Sequence, residues 1–137
     1  MNVNGDMFGA IDIAVSGLKA YGKQMEIISS NVANSRTTDA GDGQPYRRID
    51  AVFKAAKDRV SGVEISDVFK DMSDFQRILG SAGDPRTDDS GYISMPNVDM
   101  PMELINLNLA SRAYQANAAI LKRYQAMVKS SLELLQA

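Results

Sequence analysis

Hydrophobic residues at both ends of this 137-residue chain recur at spacings of four and three, and that rhythm constrains the fold more than anything between. Met7, Ile11, Ala14, Leu18, Tyr21, Met25, Ile28 and Val32 keep the alternation from residue 7 to residue 32 with no polar interruption. Such a seam is the a/d pattern of a coiled coil. Asp12, Lys19, Lys23 and Glu26 fall off it, on the solvent side. Ile13, Ala20 and Ile27 repeat every seven residues on another face, which a single partner helix would leave wet. At about 1.5 Å per residue the stretch makes a rod of roughly 39 Å, too long for a domain of this size to hide.

Residues 104–135 repeat the theme. Leu104, Leu107, Ser111, Tyr114, Ala118, Leu121, Gln125, Val128, Leu132 and Leu135 form a seam with polar breaks. Met102, Ile105, Leu109, Ala113, Ala116, Ile120, Met127 and Leu134 make a second apolar surface. A helix apolar on two sides has to be packed on two sides, more than one helical hairpin needs. Pro101 suits a first helical turn, and Asp99 is a better cap than Met100.

The middle, about 44–95, has strand character. Ile49, Ala51 and Phe53 alternate, as do Val63 and Ile65, and Tyr92–Met95 follows Gly91 as a short strand. Asp42-Gly43, Ser61-Gly62, Asp84-Pro85 and Ser90-Gly91 are turn signals. Gly80–Gly91, rich in Gly, Asp and Ser, is expected to be a mobile loop. The pattern predicts a mainly α protein with a small β insert. Long N- and C-terminal helices pair as a coiled-coil-like hairpin around a short β-rich middle segment. The divisions expected are 1–37, 38–96 and 97–137.

Chemistry is scarce. The chain has no Cys, His or Trp, so disulfides, thiolate or imidazole metal sites, and Ser-His or Cys-His catalysis are excluded. Asp84, Asp88 and Asp89 lack the regular oxygen spacing of a calcium loop, and Asp71 and Asp74 have no partner group for acid–base work. No glycine motif cradles a phosphate. A net charge of −2 gives no basic footprint for nucleic acid. Neither a membrane-spanning run nor a conventional secretory signal is read from the sequence. No catalytic residue, metal, cofactor or small-molecule ligand is expected. Arg47-Arg48 reads as a surface pair, and Asn31, Asn34 and Thr37 as a helix stop, since Asn tolerates the left-handed conformation and Thr bonds its own backbone.

Asn31-Val32-Ala33-Asn34-Ser35-Arg36-Thr37 resembles the Asn-x-Ala-Asn-x-x-Thr signature that closes the N-terminal helix in flagellar axial proteins, the rod, hook and hook-associated subunits. Gly91-Tyr92-Ile93-Ser94-Met95-Pro96-Asn97-Val98, followed by Ala110-Ser111-Arg112-Ala113-Tyr114-Gln115-Ala116-Asn117, is similar to the proximal-rod members of that family. Asp42-Gly43-Gln44-Pro45-Tyr46-Arg47 also resembles their loop between first helix and first strand. The likeness spans nearly the whole chain, with Met100-Pro101-Met102 standing where relatives carry unbroken helix formers. It implies a structural subunit of a periplasm-spanning rod whose terminal helices form an inner tubular layer. Export would pass through the flagellar type III gate without a cleaved signal. Implied partners are copies of itself, other rod proteins, basal-body ring components and, in transit, the export gate. The expected assembly interface is Ile11, Leu18, Met25, Ile28, Val32, Leu104, Leu107, Leu121, Val128, Leu132 and Leu135. Arg112 is a candidate to reach a carboxylate or carbonyl of a neighbouring subunit. A soluble helical adaptor or export chaperone, or a different short rod subunit, are the alternatives.

Overall fold

The computed structural model describes residues 3–56 and 62–135, with the side chains of residues 3–8 left aside. The element order is α1 (Val3–Ala33), β1 (Ile49–Ala55), β2 (Val63–Lys70), β3 (Gln76–Leu79), β4 (Tyr92–Met95) and α2 (Met100–Leu135). Both helices start earlier than the seams suggested. β1 pairs with β2 in one two-stranded sheet and β3 with β4 in another. The second is antiparallel, with Gln76 opposite Met95 and Leu79 opposite Tyr92. β1 and β2 lie where alternation placed them, and β4 is the short strand expected after Gly91; β3 was not expected. Ser61, of the expected turn before β2, lies outside the described residues.

Two compact units emerge, and the chain enters both more than once. One groups residues 1–25, 52–67 and 108–137; the other groups residues 26–51 and 68–107.

The first unit has a core of small residues. Ala14, Ala20 and Ala110 are buried. Gly17 is buried as well, and a Cβ built on it would stand 2.7 Å from Nδ2 of Asn117. The absent side chain is what lets α2 come so close, because only hydrogen occupies that space. Tyr114 lies 3.7 Å from the Cβ position of Gly22, and Tyr21 tilts against Phe53 with ring centroids 5.5 Å apart. The buried positions of α2 are therefore not its leucine seam. Ala110 and half-buried Asn117 lie on a heptad line beside that seam. Ala20 is buried too, so the face of α1 expected to stay wet is partly covered, while Ile13 remains 44% exposed. Met7, first residue of the α1 seam, lies outside the described side chains.

The second unit buries Ile27, Ile28, Ile93 and Val98. It buries three polar side chains with them: Asn31, Asn97 and Glu103. The segment 80–91 is laced by hydrogen bonds, including Gly80 N–H to Gly91 C=O at 2.9 Å and Asp88 N–H to Tyr92 C=O at 2.8 Å. α2 begins as the sequence suggested, with the Met102 N–H donating to Asp99 Oδ1 at 3.1 Å. That bond satisfies one of the orphan donors of the first turn.

Candidate functional site

The signature 31–37 ends α1 by a route the sequence did not suggest. Among the described residues every positive φ belongs to a glycine, at 41, 43, 83 and 91. The asparagines are therefore not left-handed caps. Asn34 turns its amide back on the Ser30 carbonyl at 2.9 Å. Ser35 Oγ donates to the Val32 carbonyl at 2.8 Å, and Thr37 Oγ1 to Asn34 Oδ1 at 3.2 Å. Asn34 and Ser35 thus add a second bond to last-turn carbonyls that already accept a backbone N–H, and Thr37 steadies the Asn34 amide. Ala33 is exposed and closes the helix.

Asn31 does something else. Fully buried at 0% exposure, it behaves as a piece of backbone. Its Nδ2 donates to the Ile49 carbonyl at 2.7 Å, and the Ile49 N–H donates to its Oδ1 at 2.9 Å. The same oxygen accepts from the Tyr46 hydroxyl at 3.0 Å, and Nδ2 also donates to Glu103 Oε2 at 3.2 Å. All four bonding positions of the amide are used. The first residue of β1 is thus anchored to a helix by a side chain that pairs like a strand.

Glu103, 1% exposed, has Arg48 as its countercharge, with Nε at 2.6 Å from Oε1. Arg48 Nη1 continues to Asp50 at 2.8 Å and to Asp71 at 3.7 Å. Burial works against the guanidinium charge, yet the hydrogen bonds to Glu103 and Asp50 prevail and raise its pKa above the ordinary value. Arg47 and Arg48 are therefore not a surface pair. Arg47 lies over the Phe75 ring at 4.1 Å and donates to the Ser73 carbonyl at 3.1 Å, while Arg48 neutralises a buried acid.

Asn97 is a second amide clip. Its Oδ1 accepts from the Arg48 N–H at 2.8 Å, and its Nδ2 donates to the Asp71 carbonyl at 3.0 Å and to Ser73 Oγ at 2.9 Å. Asp71 is not a bare loop acid: the Ser73 N–H and hydroxyl hold its carboxyl below the usual range. Around Asn97, Pro96 and Val98 are buried, Met95 is half-buried, and Gly91 makes the turn into β4 at φ 85°. Tyr92 is exposed beneath Arg77, 4.9 Å from its ring. The motif 91–98 is thus a turn, a strand and a clip.

Arg112 and Gln115 are exposed on α2, Tyr114 is partly exposed, and Asn117 faces Gly17. Of the expected interface, Ile28 is buried, while Ile11, Leu18, Met25, Val32, Leu107 and Leu121 are half-buried. Leu104, Val128, Leu132 and Leu135 are exposed. The sequence reading missed Glu103, Ala110, Arg48 and Gly17 as structural keys. The seven-residue spacing of Glu103, Ala110 and Asn117 is a signal for the first two; nothing local marked Arg48 or Gly17. Among the described residues there is no acidic, Cys or His cluster able to hold a metal, and no helix long and apolar enough to cross a membrane.

Residues 11–40 match the family model described as flagella basal body rod protein, and residues 89–134 match the C-terminal model of the flagellar basal body rod FlgEFG proteins. The chain is 35% identical over 133 residues to the flagellar basal-body rod protein FlgC of Salmonella typhimurium, covering 95% of this chain and 98% of that one. The chain belongs to the FlgC family of flagellar basal-body rod proteins. Agrobacterium fabrum FlgC is 37% identical, over 93% of this chain and 94% of its own. Bacillus subtilis FlgC is 29% identical, over 93% and 97% respectively. The residues on which the sequence resemblance rests fall into two kinds. Asn31, Asn34, Thr37 and Asn97 hold the second unit together, whereas Arg112 and Gln115 point outward from the first.

Proposed function

We propose that this chain is a structural subunit of the proximal rod of the bacterial flagellar basal body. Its terminal helices polymerise into an inner tubular layer of the shaft that spans the periplasm. Segments 1–37 and 97–137 supply that layer as a coiled-coil-like hairpin, and 38–96 forms the insert outside it. The observation that carries this reading is the surface of α2. Leu109, Ile120, Met127, Leu132, Leu134 and Leu135 are all large, apolar and exposed on one helix, beyond what a soluble helix shows singly. Burying such surface at about 25 cal/mol per Å² is an ample driving force for association.

Folding and polymerisation are then coupled, and the work of the protein is mechanical. Neighbours are copies of itself, other rod proteins and basal-body ring components. The subunit reaches its place through the type III export gate. The test is a clean in-frame deletion in the source bacterium, scored by swimming and by electron microscopy of isolated basal bodies. Membrane rings without a completed rod, restored by a plasmid copy, are the expected result. A deletion strain that swims on normal hooks would sink the rod reading and bring a helical adaptor forward.

A further inference from the structure

Within the first unit, one strip of α2 combines two features. Leu109, Arg112, Ala116, Ile120, Arg123 and Met127 follow one another at steps of three and four, so they share one side of the helix. All six are exposed; Leu109 is 59% and Ile120 47% accessible. The strip runs about 27 Å, and Arg112 and Arg123, eleven residues apart, stand about three turns or 16 Å from each other at nearly the same azimuth.

These two arginines differ from most others in the chain. Arg47, Arg48, Arg77 and Arg86 each face a carboxylate, a carbonyl or a ring. Arg112 and Arg123 have no ion-pair or hydrogen-bond partner among the described residues. A long cationic side chain at the rim of an apolar strip matches a carboxylate arriving beside an apolar partner.

The chain's own helices do not present that complement. α1 carries Asp6, Asp12 and Glu26 beside Lys19 and Lys23, no two of these acids eleven residues apart, and Ile13 is the one large apolar side chain exposed among its described residues. On α2, Glu103 is buried against Arg48 and Glu133 lies 4.0 Å from Lys129. A second copy of α2 would set arginine against arginine. We propose that this strip docks a helix of a different subunit. That helix bears an apolar stripe and two rim carboxylates about eleven residues apart, matching the three-turn spacing of the arginines. The proposal rests on the rod reading and names the chemistry of one neighbour within it.

The test places the photo-crosslinker p-benzoylphenylalanine at Ile120 in the source bacterium, with Lys122 as the control site on the polar side. Basal bodies are isolated after irradiation, and the adduct is sequenced by mass spectrometry. Expected is an adduct with a basal-body protein of different sequence, whose linked peptide carries the paired carboxylates. The double variant Arg112→Glu, Arg123→Glu should lose both adduct and swimming at normal helicity and cellular level, while Arg112→Lys, Arg123→Lys retains both. An adduct between two copies of this chain overturns the proposal. Basal bodies that contain the chain but yield no adduct, or normal swimming by the double-Glu variant, also overturn it. Basal bodies without the chain overturn the rod reading, and the strip falls with it.

Discussion

Asn31 shows how one amide can substitute for a strand. Its four bonds run to the Ile49 backbone, Tyr46 and Glu103, so an apolar side chain of similar size leaves several buried groups unpaired. Asn31→Leu is expected to cost about 3 kcal/mol, from the ~1–3 kcal/mol of each unsatisfied buried group after relaxation; urea unfolding of the purified chain measures it. The Arg48–Glu103 pair makes a sharper test. Glu103→Met should cost about 3 kcal/mol, because Arg48 Nε and Asn31 Nδ2 each lose their acceptor while Arg48 Nη1 keeps Asp50, and adding Arg48→Met should recover part of it, because a hydrophobic pair often replaces a buried ion pair without loss. A double variant as unstable as the single would show that the pair is not the reason for burial. At the surface, the Arg86 side-chain hydrogen bond, with the Arg86 N–H, draws the Asp84 carboxyl from 3.8 to about 2. The folded value is the lower one, so what this contact contributes is present above pH 3.8 and fades as pH falls through about 2. Carboxyl-carbon NMR should place the Asp84 midpoint near 2, and Arg86→Ala should return it towards 3.8.

At the level of elements, helices were legible and their packing was not. The heptads of 7–32 and 104–135 marked α1 and α2, and Asp99 marked the start of α2. The stripe by which α2 approaches its neighbour is Ala110 and Asn117 in one unit and Glu103 in the other. None of these is a large apolar residue, and the strong period belongs to the leucines beside them. β3 was invisible for a related reason. Gln76-Arg77-Ile78-Leu79 has no alternation and is exposed throughout, and it is a strand because β4 offers it a ladder. The close approach at Gly17 gives a double-variant prediction. Gly17→Ala should destabilise by about 1–2 kcal/mol through overpacking against Asn117. With Asn117→Ala added, the sign should reverse, since Ala is the better helix former by about 1 kcal/mol. Thermal melts of the purified single and double variants decide it, and additive effects would deny the contact.

For the whole molecule, the signature told the family but not the division of labour inside it. Asn31 and Asn97 read as a helix stop and a motif residue, and their long-range partners, 18 and 49 residues away, lay beyond any local pattern. What periodicity did convey was surplus: apolar residues on two sides of each helix, more than one hairpin needs. Side chains 125–135 of α2 are exposed throughout, so their amides in the isolated chain should exchange with deuterium about tenfold faster than those of 106–120. Equal protection of the two stretches would contradict that. Finally, the path of the chain through its units limits how such a protein can be recombined. Residues 1–25, 52–67 and 108–137 build one unit, while 26–51 and 68–107 build the other. No contiguous stretch of the gene encodes either unit alone: the shortest one spanning the second unit also carries 52–67, and the first unit needs both ends. A crossover with a related gene would therefore create mismatched neighbours inside at least one unit, and such chains should diverge by point substitution more readily than by exchange of blocks.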